Sequence, residues 1–232
     1  MQLFLGKKLN IYSSFTNLFT KRKQNFPNKN LYVLSDGNWS VQTTIPFNYY
    51  YFYDGSYYGF TVDNTIVILS AVNSYSYNLG TNTWEKRALL PHAFGTNIIV
   101  GTEMNGKAYL LTNSGTICEY DPKTNEWKLI TEYVKYLNDK ICAFSYKNKL
   151  YFGLGLKQNT ESELDPDRTT NWVDNELWSY DLTTNKRELA CILPVDLHFG
   201  NFFSFRIKDN FYFGNRNTTF YDIYKLDMSK LK

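Results

Sequence analysis

Short apolar runs separated by polar turns dominate the chain. "FTVDNTIVIL", "GTEMNGKAYLL", "FSYKNKLYFG" and "FRIKDNFYFG" each set a pair of turn formers between two such runs. Asn-Gly and Asp-Asn tolerate φ > 0, which a two-residue hairpin loop demands, so each stretch predicts a β-hairpin, near Asn64, Asn105, Asn148 and Asn210. "YDPKTNEW", residues 120–127, predicts a different hairpin, with a tyrosine entering the turn and a tryptophan leaving it.

The second kind of hairpin recurs. Trp84 in "YNLGTNTWEK" and Trp127 in "YDPKTNEWKL" lie 43 residues apart, each seven residues after a tyrosine, Tyr77 and Tyr120. The same offset joins Tyr32 to Trp39, and Tyr180 to Arg187 in "YDLTTNKREL". A fifth copy begins at "IYKLDMSK". The turns at Asn64 and Asn105 precede Trp84 and Trp127 by about 20 residues, an interval that is longer where an insertion intervenes, so one unit reads strand, turn, strand, loop, strand, turn, strand. Four-stranded units at a period near 43 residues predict an all-β chain folded as a β-propeller. In that fold the repeated aromatics Trp39, Trp84 and Trp127 fill the gaps between blades, a packing role rather than a binding one.

"NGKAYLLTNSGTICEYDPKTNEWKLI" and "NELWSYDLTTNKRELACILP" resemble Kelch repeats, with an apolar-aromatic strand, a Tyr-Asp turn and a Trp six residues after the Asp. The resemblance is strongest over residues 90–195 and implies a Kelch-like propeller. The chain departs from the motif where Kelch units carry a Gly-Gly pair. Here that place reads "LLTN", "FGLG" and "FGNR". The units are similar to the divergent Kelch-like propellers of bacterial surface and secreted proteins.

The units fall at 1–46, 47–91, 92–134, 135–194 and 195–232, about five in one domain spanning 1–232, with both end units incomplete. The alternative is a closed four-bladed ring, in which "GNWSVQTTI" completes the last blade and the other N-terminal residues are an appendage.

Composition narrows the function. The net charge of +3, with both signs interspersed, gives no polyelectrolyte signal for nucleic acid. Mean hydropathy is −0.43, and no apolar run approaches the roughly 20 residues of a membrane span. Cys118, Cys142 and Cys191 form no CxxC pair and read as buried reduced thiols. "MQLFLGKKLNIYSSFTNLF" is broken by Lys7 and Lys8 and does not read as a secretory signal. That fits a cytoplasmic chain, or a piece of a secreted or surface protein. No GxSxG, HExxH, Walker A or GxGxxG motif occurs, and no cofactor is expected.

Blade-to-blade linkers and second-to-third-strand loops share one face of a propeller, which we call the loop face. Variable loops on a rigid scaffold are where partners bind. Both histidines fall in linkers, His92 beside Phe94 in "HAFG" and His198 beside Phe199 in "HFG". The run "NYYYFYDG" brings Tyr49, Tyr51 and Tyr53, and the linker "ITEYVKYLNDK" brings Tyr133 and Tyr136. Tyrosines of this kind suit carbohydrate or protein recognition, and suit blade packing equally. A long insertion in the fourth unit carries Glu161, Glu163, Asp165 and Asp167, and reads as a solvated loop without the glycine spacing of a calcium site.

Two functions follow. The first is a non-catalytic binding propeller that recognises a protein or glycan through this face. The second, implied by the resemblance, is a small-sugar enzyme of the Kelch mutarotase type. It would use Glu103, Glu132 or Asp196 as proton-transfer carboxylate, with His92, Arg187 or His198 beside it.

Overall fold

A computed structural model describes residues 3–6, 30–35, 38–46, 57–132, 137–138, 142–154, 156–159, 170–173, 176–192, 201–207, 209–216 and 221–231. These form strands and two single-turn 3-10 helices. The first sheet holds β1 (Leu3–Gly6), β2 (Asn30–Ser35) and β3 (Asn38–Thr44). The first blade is β4 (Tyr58–Val62), β5 (Thr65–Leu69), β6 (Tyr75–Asn78) and β7 (Thr83–Lys86). The second is β8 (Ile98–Met104), β9 (Lys107–Thr112), β10 (Thr116–Asp121) and β11 (Glu126–Glu132).

The chain then makes β12 (Leu137–Asn138), β13 (Cys142–Tyr146), β14 (Lys149–Gly153), β15 (Leu156–Asn159), β16 (Thr170–Val173), β17 (Glu176–Asp181) and β18 (Lys186–Ile192). Of these, β13, β14, β17 and β18 form the third blade. The fourth blade holds β19 (Asn201–Ile207), β20 (Asn210–Arg216) and β21 (Tyr221–Asp227).

These four antiparallel sheets are arranged as a four-bladed β-propeller, which matches the second of the two arrangements the sequence left open in its number of blades. Alternate side chains of each strand point to opposite faces of a blade, so one blade can pack on a neighbour through each face. Ala108 and Leu110 join Tyr58, Phe60 and Val67 between the first two blades. Tyr109 and Leu111, one residue on in each case, join Leu150, Phe152 and Tyr180 between the second and third. Tyr151 then packs with Phe144, Phe211 and Phe213 between the third and fourth, where the Phe144 and Tyr151 rings stack 4.8 Å apart. Leu31 and Ile45 of the N-terminal segment meet Ile66, Ile68 and Tyr77 on the first blade.

The repeated hairpin is one local structure used three times. Tyr77 faces Trp84 and Tyr120 faces Trp127 across the ladder, with ring centroids 4.8 and 4.9 Å apart. Tyr180 faces Arg187, whose guanidinium instead lies over Trp178 at 4.7 Å. Asn78, Asp121 and Asp181 open the turns by accepting backbone N–H bonds two residues on. Asn82, Asn125 and Asn185 close them at φ of 57°, 60° and 56°, which Asn adopts more readily than other non-glycine residues. Each closing amide accepts the hydroxyl of its own tyrosine, at 3.0, 2.7 and 3.1 Å.

Four expectations are corrected. Tyr32 and Trp39 keep the offset of seven without the geometry, because Trp39 pairs Leu34 and Tyr32 pairs Val41. Only Asp36 and Gly37 separate β2 from β3, against four residues in the other copies, so the register closes two residues earlier. The segment "GNWSVQTTI" pairs with β2 and not with the last blade. The N-terminal strand of the first unit departs from the antiparallel order of a four-stranded unit, since it runs parallel to β2 through Leu3–Gly6. The insertion is not wholly loop, since its ends pair as β15 and β16, and β12 adds to their edge.

Cys118 and Cys142 are buried, whereas Cys191 is only half-buried, short of the buried thiol expected of it. All three are free thiols, and burial pushes the Cys118 thiol up to about 12. No helix among the described residues is long and apolar enough to cross a membrane.

Candidate functional site

The loop face is built best around the second blade. The linker from the first blade closes as a 3-10 turn over His92–Phe94, and the loop between β9 and β10 comes up beside it. Both segments are rich in small hydroxyl and amide side chains, and those side chains tie them together. The Phe94 carbonyl accepts the hydroxyls of Thr112, Ser114 and Thr116, each at 2.6 Å. Asn113 takes the backbone N–H groups of Thr96 and Asn97 on its Oδ1, both at 3.0 Å, and donates to the Thr96 hydroxyl.

Gly95 is required in this platform. Its φ is 136°, and a Cβ there would stand 2.7 Å from the Thr112 hydroxyl. The result holds His92 and Ala93 exposed on a fixed turn. The Phe94 ring is half-buried against the cluster between the first two blades, so it anchors the turn as well as edging the surface.

His92 and Phe94 are the sequence candidates on which the structure bears. Tyr49, Tyr51, Tyr53, Tyr133, Tyr136, Glu161, Glu163, Asp165, Asp167, His198 and Phe199 lie outside the described residues, as does Asp196. His92 and Glu103 are not brought together. Glu103 is five residues beyond the start of β8, which carries it roughly 17 Å towards the opposite face. Arg187 and Glu132 sit on the outermost strands of their blades, β18 and β11. The expected pairing of Glu103 with His92 is therefore not the arrangement found.

The structure shows instead a second polar site, at the hairpin end of the innermost strands. β4, β8, β13 and β19 each end in a turn to the second strand, and the residue one place before the strand end is Thr61, Glu103, Ser145 or Arg206 in turn. Ser145 donates its hydroxyl to the Glu103 carbonyl at 2.6 Å, and Arg206 donates Nη1 to the Ser145 carbonyl at 3.0 Å.

Glu103 itself faces the first blade, towards Tyr58, and burial raises its carboxyl to about 7. Burial also pushes the Tyr58 hydroxyl well above its ordinary value. Gly101 makes room for the Tyr58 ring, because a Cβ there would stand 2.7 Å from it. Aligning the four turns in the sequence puts Thr61, Glu103, Ser145 and Arg206 in one column, which is the signal that would have located Ser145 and Arg206.

No protein-family model matches the chain, and no curated protein matches it. Among solved structures, the chain is similar to YjhT, at 15% identity and a TM-score of 0.51. The match covers 75% of this chain and 63% of that one, so the chain spans under two thirds of the length of the protein it matches. At that identity the likeness is one of fold, and it agrees with the propeller described above.

Proposed function

We propose that the chain is a non-catalytic binding propeller of Kelch-like ancestry, which recognises a protein or glycan through its loop face. The observation that carries this reading is the cross-tied platform of residues 91–97 and 112–116. Three hydroxyls converge on one carbonyl and one amide holds two backbone N–H groups, which fixes the exposed His92–Ala93 turn before any partner arrives. A surface ordered in advance loses little conformational entropy on binding.

The test is a glycan array and a thermal-shift screen against mono- and disaccharides, run on the wild type and on His92→Ala and Ala93→Arg. The reading expects glycan spots or shifts that both variants weaken about tenfold or more, since the arginine obstructs the platform without touching the core. Binding that survives both variants overturns it.

A second reading, the small-sugar enzyme, is favoured by one observation, a half-buried carboxyl near pH 7 in Glu103. Carboxyls tuned to that range serve as general acids and bases. It requires wild-type protein to accelerate anomer exchange of a reducing sugar, read by NMR saturation transfer, and Glu103→Gln to lose that acceleration.

A further inference from the structure

The column of Thr61, Glu103, Ser145 and Arg206 follows one rule at its two hydrogen bonds. The side chain of each blade donates to the main-chain carbonyl of the equivalent residue one blade back, Arg206 to Ser145 and Ser145 to Glu103. The register explains why those carbonyls are available. Glu103 pairs with Ala108, one step inside the turn-closing pair Met104–Lys107, and Ser145 with Leu150, one step inside Tyr146–Lys149. In an antiparallel hairpin that next pair turns its carbonyls away from the partner strand. Thr61 pairs with Ile66 one step inside Val62–Thr65, so its carbonyl has the same direction. A hydroxyl and a guanidinium donate at any ordinary pH. A carboxyl donates only while it holds its proton.

We propose that Glu103 is a proton-operated latch between the first and second blades. Protonated, it donates to the Thr61 carbonyl and completes the series of blade-to-blade bonds that Ser145 and Arg206 make. Ionised, it has no hydrogen to donate and faces the carbonyl's negative end, so the hairpin end of the innermost strands loosens between these two blades. This inference does not depend on what the loop face binds.

The surroundings of Glu103 leave it to titrate by itself. β4 brings Tyr58, a buried phenol that stays neutral. β9 brings Ala108 to this face and turns Lys107 to the other, where the lysine pairs with Glu119 at 2.7 Å and Asp121 at 3.1 Å. β13 brings the Ser145 hydroxyl to the backbone of Glu103 rather than to its carboxyl. None of these groups is a cation that would hold the carboxylate ionised. Desolvation moves the carboxyl from an ordinary 4.5 to about 7. The folded chain then binds this proton more tightly than the unfolded chain. The stabilisation is fully present below about 4.5, is lost as the pH rises to about 7, and does not change further above that.

Melting temperatures of the wild type and Glu103→Gln, measured from pH 4.5 to 8.5, test the latch. Glutamine has the same shape and donates at every pH. The difference between the two proteins should change by about 5 to 10 °C across the interval, the variant gaining on the wild type as the pH rises, with the change falling between about 4.5 and 7 and levelling off above. Amide exchange at Asp63 and Asn64, corrected for intrinsic pH dependence, should quicken above pH 7 in the wild type alone. Glu103→Ser, which copies the residue of the third blade, should share the pH-independent exchange of the glutamine variant. Parallel melting profiles for wild type and Glu103→Gln overturn the latch. So does a Tyr58→Phe variant that abolishes the pH dependence, because the phenol would then be the partner.

Discussion

Replacing Asn125 by alanine tests the central structural claim, that one amide closes the repeated hairpin and fastens it to the blade before. Asn125 Oδ1 accepts the Tyr120 hydroxyl at 2.7 Å and the Ala88 backbone N–H at 2.8 Å. Tyr120 is fully buried, so its hydroxyl loses its acceptor within the protein. An unsatisfied buried donor costs about 1 to 3 kcal/mol, and the half-buried Ala88 N–H adds about 1. The backbone adds roughly 1 more, since the position has φ of 60°, which asparagine tolerates and alanine does not. The sum is about 3 to 5 kcal/mol, or roughly 6 to 20 °C in Tm for a chain of this size.

Asn125→Gly separates the terms, because glycine removes the amide and keeps the left-handed backbone. It should recover about 1 kcal/mol of the loss. Urea denaturation followed by tryptophan fluorescence supplies the values, and a double-mutant cycle with Tyr120→Phe isolates the hydroxyl bond, with an expected coupling of about 1 to 3 kcal/mol. An Asn125→Ala protein within about 0.5 kcal/mol of wild type, or a cycle with no coupling, refutes the reasoning. Asn185→Ala should cost less, since the bond shown for its Oδ1 is the one from Tyr180.

Other outcomes follow from the same contacts. Gly101→Ala places a methyl 2.3 Å from Leu110 and 2.7 Å from the Tyr58 ring, and should destabilise by about 1 to 3 kcal/mol in a calorimetric melt. Gly95→Ala strains φ of 136° and strikes Thr112, so backbone amide shifts at residues 92–97 should scatter while the innermost strands keep theirs. Trp127→Phe removes the indole bond to the Ala88 carbonyl at 3.1 Å and should cost about 1 to 2 kcal/mol in urea. Burial holds the Cys118 thiol up at about 12, so native protein at pH 8 should leave Cys118 unlabelled by a thiol reagent until urea unfolds it.

The sequence by itself determined the repeat. Tyr77, Tyr120 and Tyr180 with their closing asparagines are legible because each hairpin is local. An Asx opening the turn, an Asn closing it with φ > 0 and a cross-strand partner for the tyrosine, aromatic in the first two copies, are all set within eight residues. The same locality misled at Tyr32, where an offset of seven recurs but a two-residue turn gives a different register. Spacing counts residues, whereas pairing depends on how many of them the turn consumes.

Tertiary structure alone decided which polar groups meet. His92 and Glu103 are eleven residues apart in the chain, yet the run of β8 sends them to opposite faces. Glu103, Ser145 and Arg206 are separated by 42 and 61 residues, yet bonds between innermost strands join them. Such contacts depend on the side-by-side placement of blades, which is fixed by the apolar faces that each blade buries against its neighbours. Those faces are readable one at a time from alternation, while the ring they build, and the carboxyl it surrounds, exist only once the blades have packed.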